Sequence, residues 1–277
     1  MNRRGLVAAV FTGAVFVPAL GIAGDFGEGH ARARLVSGQV EERAYVGVFF
    51  DIEPGWHIYW KNPGGAGMAT EVLWRLPDGV ETGELEWPLP ISFLQSGDIP
   101  GYGYEESVLL ASELRQERPR RDAVIGAEVS WLACKEVCVL GAASLEATWS
   151  EEERDPAFAQ WRESRPAAFN GPDAAFSVTT SGGLADGRLV VWLRWETPPV
   201  VVEWFPEPPD GLVVSDVKIM SRGGLTRIDA DVRTMAGAAG AHEKLPSLIV
   251  VTDENGRRRG WTVSLELGAD QPTKEKL

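Results

Sequence analysis

Cys134 and Cys138, in the stretch VSWLACKEVCVLG, are the only cysteines in 277 residues, and three residues separate them. A thiol pair this close admits three kinds of chemistry: a structural cross-link, half of a metal site, or a pair that cycles between dithiol and disulfide. A bridge needs Cα atoms about 4.4–6.8 Å apart with converging Cβ vectors, and residues i and i+4 meet that condition across a tight hairpin. The flanking EVSWLAC and CVLGAASLEATW both read as strands, so Lys135, Glu136 and Val137 are expected to form the loop. Closing so short a loop stabilises a fold by only about 2 kcal/mol. A chain with 44% hydrophobic residues and eleven tryptophans has little need of it. Zinc takes four ligands, or three and a water, and none of His30, His57 and His242 has ligand-like spacing to the pair. No metal and no other cofactor is expected. Nor is this a thioredoxin-type site, where C-x-x-C opens a helix whose dipole lowers the thiol pKa. Exchange at this pair would depend on exposure and neighbouring groups, with Lys135 favouring a thiolate and Glu136 opposing it. On these residues alone, the staple and the exchange pair both stay open.

The elements that must position the pair are strands. From Ala31 onward, ARARLVSGQV, RAYVGVFFDIE, GWHIYWKN, TEVLWRLPDG, GELEWPLP, SVLLASEL and DAVIGAEVSWLAC carry β-branched or aromatic residues, often alternating with polar ones. The glycine-rich NPGGAG lacks the lysine and following helix of a phosphate-binding loop and reads as a turn. Trp56, Trp60, Trp74, Trp87 and Trp131 are expected in the core. Around SEEERDPAFAQWRESRPAA the pattern changes to a short helix. It starts at Asp155-Pro156, with Phe158, Trp161 and Ala168 on one face and Glu151–Glu153 as a solvated start. A second strand series follows: RLVVWLRW, VVVEWFPE, LVVSDVKIMS, LTRIDADVRT, SLIVVTD and GWTVSLEL. The fold class expected is all-β: two β-sandwich domains, residues 24–150 and 171–268, joined by a helical connector at 151–170 and followed by a polar tail at 269–277.

The ends and the charge place the chain. MNRR followed by GLVAAVFTGAVFVPALGIAG, with Gly21-Ile22-Ala23 as a small-x-small site, reads as a signal peptide over residues 1–23. Its removal takes two arginines from a formal charge of −13, leaving −15. Such an acidic chain offers no basic face for nucleic acid. Export makes the compartment an oxidising one, where cysteines pair.

PGWHIYWKNPGGAG, WPLPISF, GYGYEESVLLAS and VSWLACKEVCVLG occur in that order. Together they resemble the periplasmic N-terminal region of the DsbD-type membrane disulfide reductases, and within them the ScsB-like subgroup. The resemblance covers about residues 30–150. It implies an immunoglobulin-like fold and makes Cys134 and Cys138 the redox pair, with Cys138 the sulfur presented to partners. It further implies that His57 and Tyr59 line the site and that the loop from Pro88 to Tyr104 is a cap. Phe93 would be the cap's covering aromatic, and Tyr104 a further lining residue. The partners implied are thioredoxin-like periplasmic proteins, among them disulfide isomerases, cytochrome c maturation factors and peroxide-handling proteins. The sequence given reaches Leu277 without a polytopic membrane domain or a thioredoxin-like domain. The electron donor is therefore expected from a separate membrane protein or from the remainder of a longer chain. The alternative is a non-catalytic periplasmic β-sandwich that binds or scaffolds a partner and carries a structural disulfide.

Overall fold

The structure is a computed structural model, and it describes residues 29–116, 119–120, 123–149, 155–169, 175–235 and 242–268. The expected signal peptide, the Glu151–Glu153 run and the polar tail lie outside the described residues.

The first half supplies β1 (Ala31–Val40), β2 (Arg43–Ile52), β3 (His57–Gly64), β4 (Glu71–Arg75), β5 (Val80–Glu86), β6 (Ile91–Gln95), β7 (Ile99–Tyr104), β8 (Ser107–Gln116), β9 (Val124–Cys134) and β10 (Cys138–Thr148). They form two sheets, one in the order β1-β2-β8-β5 and one in the order β10-β9-β3-β7-β6, with β4 also paired to β9. Helix α1 (Ala157–Glu163) follows, then β11 (Ala167–Ala168), β12 (Phe176–Gly183), β13 (Arg188–Trp195), β14 (Val201–Pro206), β15 (Leu212–Arg222), β16 (Leu225–Thr234), β17 (Lys244–Thr252) and β18 (Arg258–Glu266). These strands make a second pair of sheets, β11-β18-β17-β14 and β12-β13-β16-β15. The architecture is thus all-β, two immunoglobulin-like sandwiches with a short helix between them.

Alternation along β9 decides what faces where. Ala127, Val129, Trp131 and Ala133 point into the first core, beside Phe50, Ile58 and Trp60. Glu128, Ser130, Leu132 and Cys134 must then point to the other face. Of the tryptophans expected in the core, Trp56, Trp60 and Trp131 are buried, while Trp74 and Trp87 are half-buried against it. The core of the first sandwich does not stop at its own sheets. Phe205, Leu248 and Val250 of the second sandwich belong to it, and the Phe205 ring sits edge-on to Trp60 and Tyr102 at 5.9 and 5.1 Å between centroids. Burying such a phenylalanine contributes about 1.5–3 kcal/mol, so this apolar seam fixes the two sandwiches against each other.

Helix α1 starts where expected. Asp155 Oδ1 accepts a hydrogen bond from the Ala157 amide at 2.9 Å and pairs with Arg34. Phe158 and Trp161 pack on Tyr45 across the outer face of the β1-β2-β8 sheet. Ala168 does not share that face. The helix ends at Glu163, and Ala168 lies in β11, paired in parallel with Thr262 of β18. Pro166, which cannot continue a helix, separates the two.

Candidate redox site

Cys134 ends β9 and Cys138 begins β10, and the two stand directly opposite each other in the antiparallel ladder. Lys135, Glu136 and Val137 form the loop between them, closed by the Lys135 amide donating to the Val137 carbonyl at 3.1 Å. The cysteines are joined as a disulfide, with Cα atoms 4.2 Å apart. The hairpin expected from spacing is the one found, with the Cα atoms slightly closer than the usual range for a bridge.

The two sulfurs do not share an environment. Cys138 is exposed, whereas Cys134 is only 2% exposed. Because alternation puts Cys134 on the face away from the core, something other than the core must cover it. His57 pairs with Cys134 across the β3–β9 ladder, so its side chain lies on the same face, and Tyr59 follows two residues later. The Tyr59 hydroxyl donates to Gln95 Oε1 at 2.7 Å and lies within hydrogen-bonding distance of Cys134 Sγ, at 3.2 Å. It is also 3.4 Å from His57 Nε2. Phe93 closes the top, its ring 4.0 Å from the His57 ring and 6.1 Å from that of Tyr59.

The cover is a β-hairpin. The Pro88–Tyr104 segment, read from sequence as a loop, contains β6 and β7, and these extend the site's own sheet beyond β3. Its glycines are needed for close approach. A Cβ on Gly101 would stand 2.4 Å from the Phe93 ring. The NPGGAG turn likewise forms a wall of the site. Gly67, at φ +120°, lies flat on the Tyr59 ring, where a Cβ would come within 2.4 Å. Gln95 Nε2 donates to the Ala66 carbonyl at 3.1 Å, which ties the hairpin to this turn and leaves Oε1 facing Tyr59.

The structure thus brings together five of the residues singled out from sequence: Cys134, Cys138, His57, Tyr59 and Phe93. Tyr104 is not among them. Its partner in β3 is Ile58, a core residue, so its ring enters the core and its hydroxyl donates to the Pro88 carbonyl at 2.9 Å. Gln95 was missed, although ISFLQ carries a signal for it: residues 91, 93 and 95 share one face of a strand, and a polar residue there is unusual.

Burial fixes the electrostatics. Desolvation lowers the His57 pKa from 6.5 to about 4, so the ring is neutral near pH 7 and supplies no cation to a thiolate. Burial raises the pKa of the Tyr59 phenol, which keeps it a donor. Lys135 lays its side chain against the Gly55 turn. A Cys134 thiolate would thus meet the Tyr59 O–H as a donor and the His57 ring in its neutral form. Among the described residues, no cluster of three His, Cys, Asp or Glu side chains is placed to hold a metal ion.

No curated protein sequence matches the chain. The crystal structure of the N-terminal periplasmic domain of ScsB from Proteus mirabilis superposes with a TM-score of 0.64 at 23% identity, covering 86% of this chain and 94% of that one. The likeness extends over both sandwiches and is one of fold. The family profile described as thiol:disulfide interchange protein DsbD, N-terminal, matches residues 31–149, the span that holds the disulfide, its flanking aromatics and the cap. Residues 31–149, somewhat less than half of the chain, are thus similar to the N-terminal domains of DsbD-type thiol:disulfide interchange proteins.

Proposed function

We propose that the chain relays reducing equivalents by thiol–disulfide exchange at Cys134 and Cys138. The asymmetry of the pair supports this reading best: one sulfur exposed, the other buried beneath a hydroxyl donor. A donor's thiolate attacks Cys138 Sγ, forming a mixed disulfide and releasing Cys134 as a thiolate. The Tyr59 O–H, held 3.2 Å away, donates to that developing charge, and charge-assisted hydrogen bonds are the stronger kind. The donor's second thiol then attacks the mixed disulfide. The donor leaves as a disulfide, and Cys134 and Cys138 are left as a dithiol, having taken up two electrons and two protons. The reverse sequence reduces an acceptor's disulfide and restores the bridge.

On this reading the chain works in the periplasm, with thioredoxin-like proteins there as donor and acceptor and disulfide isomerase-like and cytochrome c maturation proteins as acceptor classes. A separate membrane protein, or a further part of a longer chain, is the donor this reading requires. No helix of the described residues is long and apolar enough to cross a membrane.

Trapping tests the reading. With Cys134→Ala, the remaining Cys138 should hold a thioredoxin-like partner as a mixed disulfide, visible on non-reducing gels of the exported fraction. Cys138→Ala should trap little, since Cys134 is buried. If neither variant traps a partner, and the wild-type bridge resists a reduced thioredoxin-like protein, the chain is a module with a structural disulfide.

A further inference from the structure

The cap is attached twice, and the second attachment comes from the other sandwich. Strand β6, which carries Phe93, is the edge of its sheet and pairs only with β7. Strand β7 in turn meets β3 through a ladder interrupted between Tyr59 and Gly64. Within its own domain the hairpin is tied near its tip, by Gln95 to Ala66 and Tyr59 and by the Gly65 amide donating to the Pro100 carbonyl at 2.8 Å. Directly at its base, however, stand Glu203 of β14 and Arg258 of β18, which reach each other across β17.

Arg258 donates from Nη2 to Glu203 Oε2 at 2.6 Å and to the Pro90 carbonyl at 2.7 Å. The other oxygen of Glu203, Oε1, accepts from the Ser92 hydroxyl at 2.8 Å. One ion pair thus grips the chain at two points, just before β6 and one residue before Phe93. The Glu203 and Arg258 side chains are 20% and 29% exposed, so the pair is shielded from much of the solvent. Leu89 supports the same base, lying against Gly260 so closely that a Cβ there would stand 2.4 Å from its methyl group. Ser92 and Phe93 are consecutive strand residues and project to opposite faces. Whatever holds Ser92 against the second sandwich therefore also sets the height of Phe93 over His57 and the bridge.

We propose that Glu203 and Arg258 are positioning residues: the second sandwich clamps the cap and sets how readily Phe93 lifts to admit a thiol to Cys134–Cys138. This gives the second sandwich a function in the reaction. It rests on the exchange reading for its purpose, but its test needs no protein partner.

In the oxidised full chain, the rate of bridge reduction by a small phosphine would be measured for the wild type, Glu203→Gln and Arg258→Gln, each with and without Phe93→Ala. Loss of a charge-assisted contact that holds a closed state shifts an opening equilibrium by about tenfold. Glu203→Gln and Arg258→Gln should therefore speed reduction by about tenfold. Phe93→Ala should speed it as well, and the clamp variants should then add nothing, because the group they position is gone. Unchanged rates in the clamp variants would overturn the proposal. So would an equal acceleration in the Phe93→Ala background, which would mean general loosening of the domain seam. If a charge variant fails to fold, Ser92→Ala removes one grip from an exposed site and should give a smaller acceleration with the same dependence on Phe93. Failure to exchange with thioredoxin-like proteins would count against the relay alone, since the phosphine rates read the clamp independently.

Discussion

Replacing Tyr59 by Phe removes one oxygen and tests the only donor that the described site offers to Cys134. The hydroxyl has a single proton, and its two nearest acceptors are Gln95 Oε1 at 2.7 Å and Cys134 Sγ at 3.2 Å, with His57 Nε2 farther off at 3.4 Å. A neutral disulfide sulfur is a weak acceptor, so in the oxidised state the proton favours Gln95. As Cys134 leaves as a thiolate, the proton turns to sulfur. The gain is a hydrogen bond to a charged group, worth about 1.5–3 kcal/mol, less the neutral bond given up, about 0.5–1.5 kcal/mol. Taking the two bonds at like ends of their ranges, the difference is about 1–1.5 kcal/mol, so Tyr59→Phe should slow bridge reduction about 5- to 12-fold at pH 7. With Gln95→Leu in place, nothing is given up, and the same substitution should cost the full amount, about 12- to 150-fold. Stopped-flow reduction by dithiothreitol across the four members of this double-mutant cycle gives both numbers. Equal effects in the two backgrounds would show that the hydroxyl is not shared. No effect in either would show that Cys134 is not the leaving sulfur.

Two further outcomes follow from the buried ring and the wall of the site. His57 is neutral in the folded chain down to about pH 4 but takes up a proton near 6.5 when unfolded. Stability should therefore fall as pH drops from 6.5 to 4, by at most about 3 kcal/mol, and level off below that. Urea unfolding between pH 4 and 7 should show this slope in the wild type and lose it in His57→Leu. Identical slopes would refute the assignment. Gly67→Ala places a Cβ against the Tyr59 ring at a positive φ and should cost about 1–3 kcal/mol while slowing exchange. Gly187→Ala, also at positive φ but with open space around it, should cost less and leave exchange unchanged, as unfolding and dithiothreitol assays on both variants would show.

Much of this site could be read from the chain because it is local. Strand periodicity on both sides of Lys135–Val137 predicts the hairpin, and the hairpin brings the sulfurs together. That His57, Tyr59 and Phe93 stand beside the bridge is implied by the family resemblance. Alternation accounts for His57 and Tyr59 sharing one face while Ile58 and Trp60 take the other. The cap was harder. Pro88, Pro90, Pro100, Gly97, Gly101 and Gly103 in one stretch give the composition of a loop, yet two of those glycines serve close packing inside a hairpin. As part of that loop Tyr104 is expected in the site's lining, whereas strand pairing with Ile58 turns it into the core. The clamp could not be read at all. Ser92 meets Glu203 and Pro90 meets Arg258 across 111 and 168 residues of sequence, where no periodicity links them.

The reduction potential of the Cys134–Cys138 bridge, taken from equilibrium with a glutathione or dithiothreitol redox buffer, tests the central claim most directly. A relay must be reducible by thioredoxin-like dithiols, so the account predicts a value above about −300 mV, within reach of such donors. A value below that would make the bridge a structural staple and contradict the account.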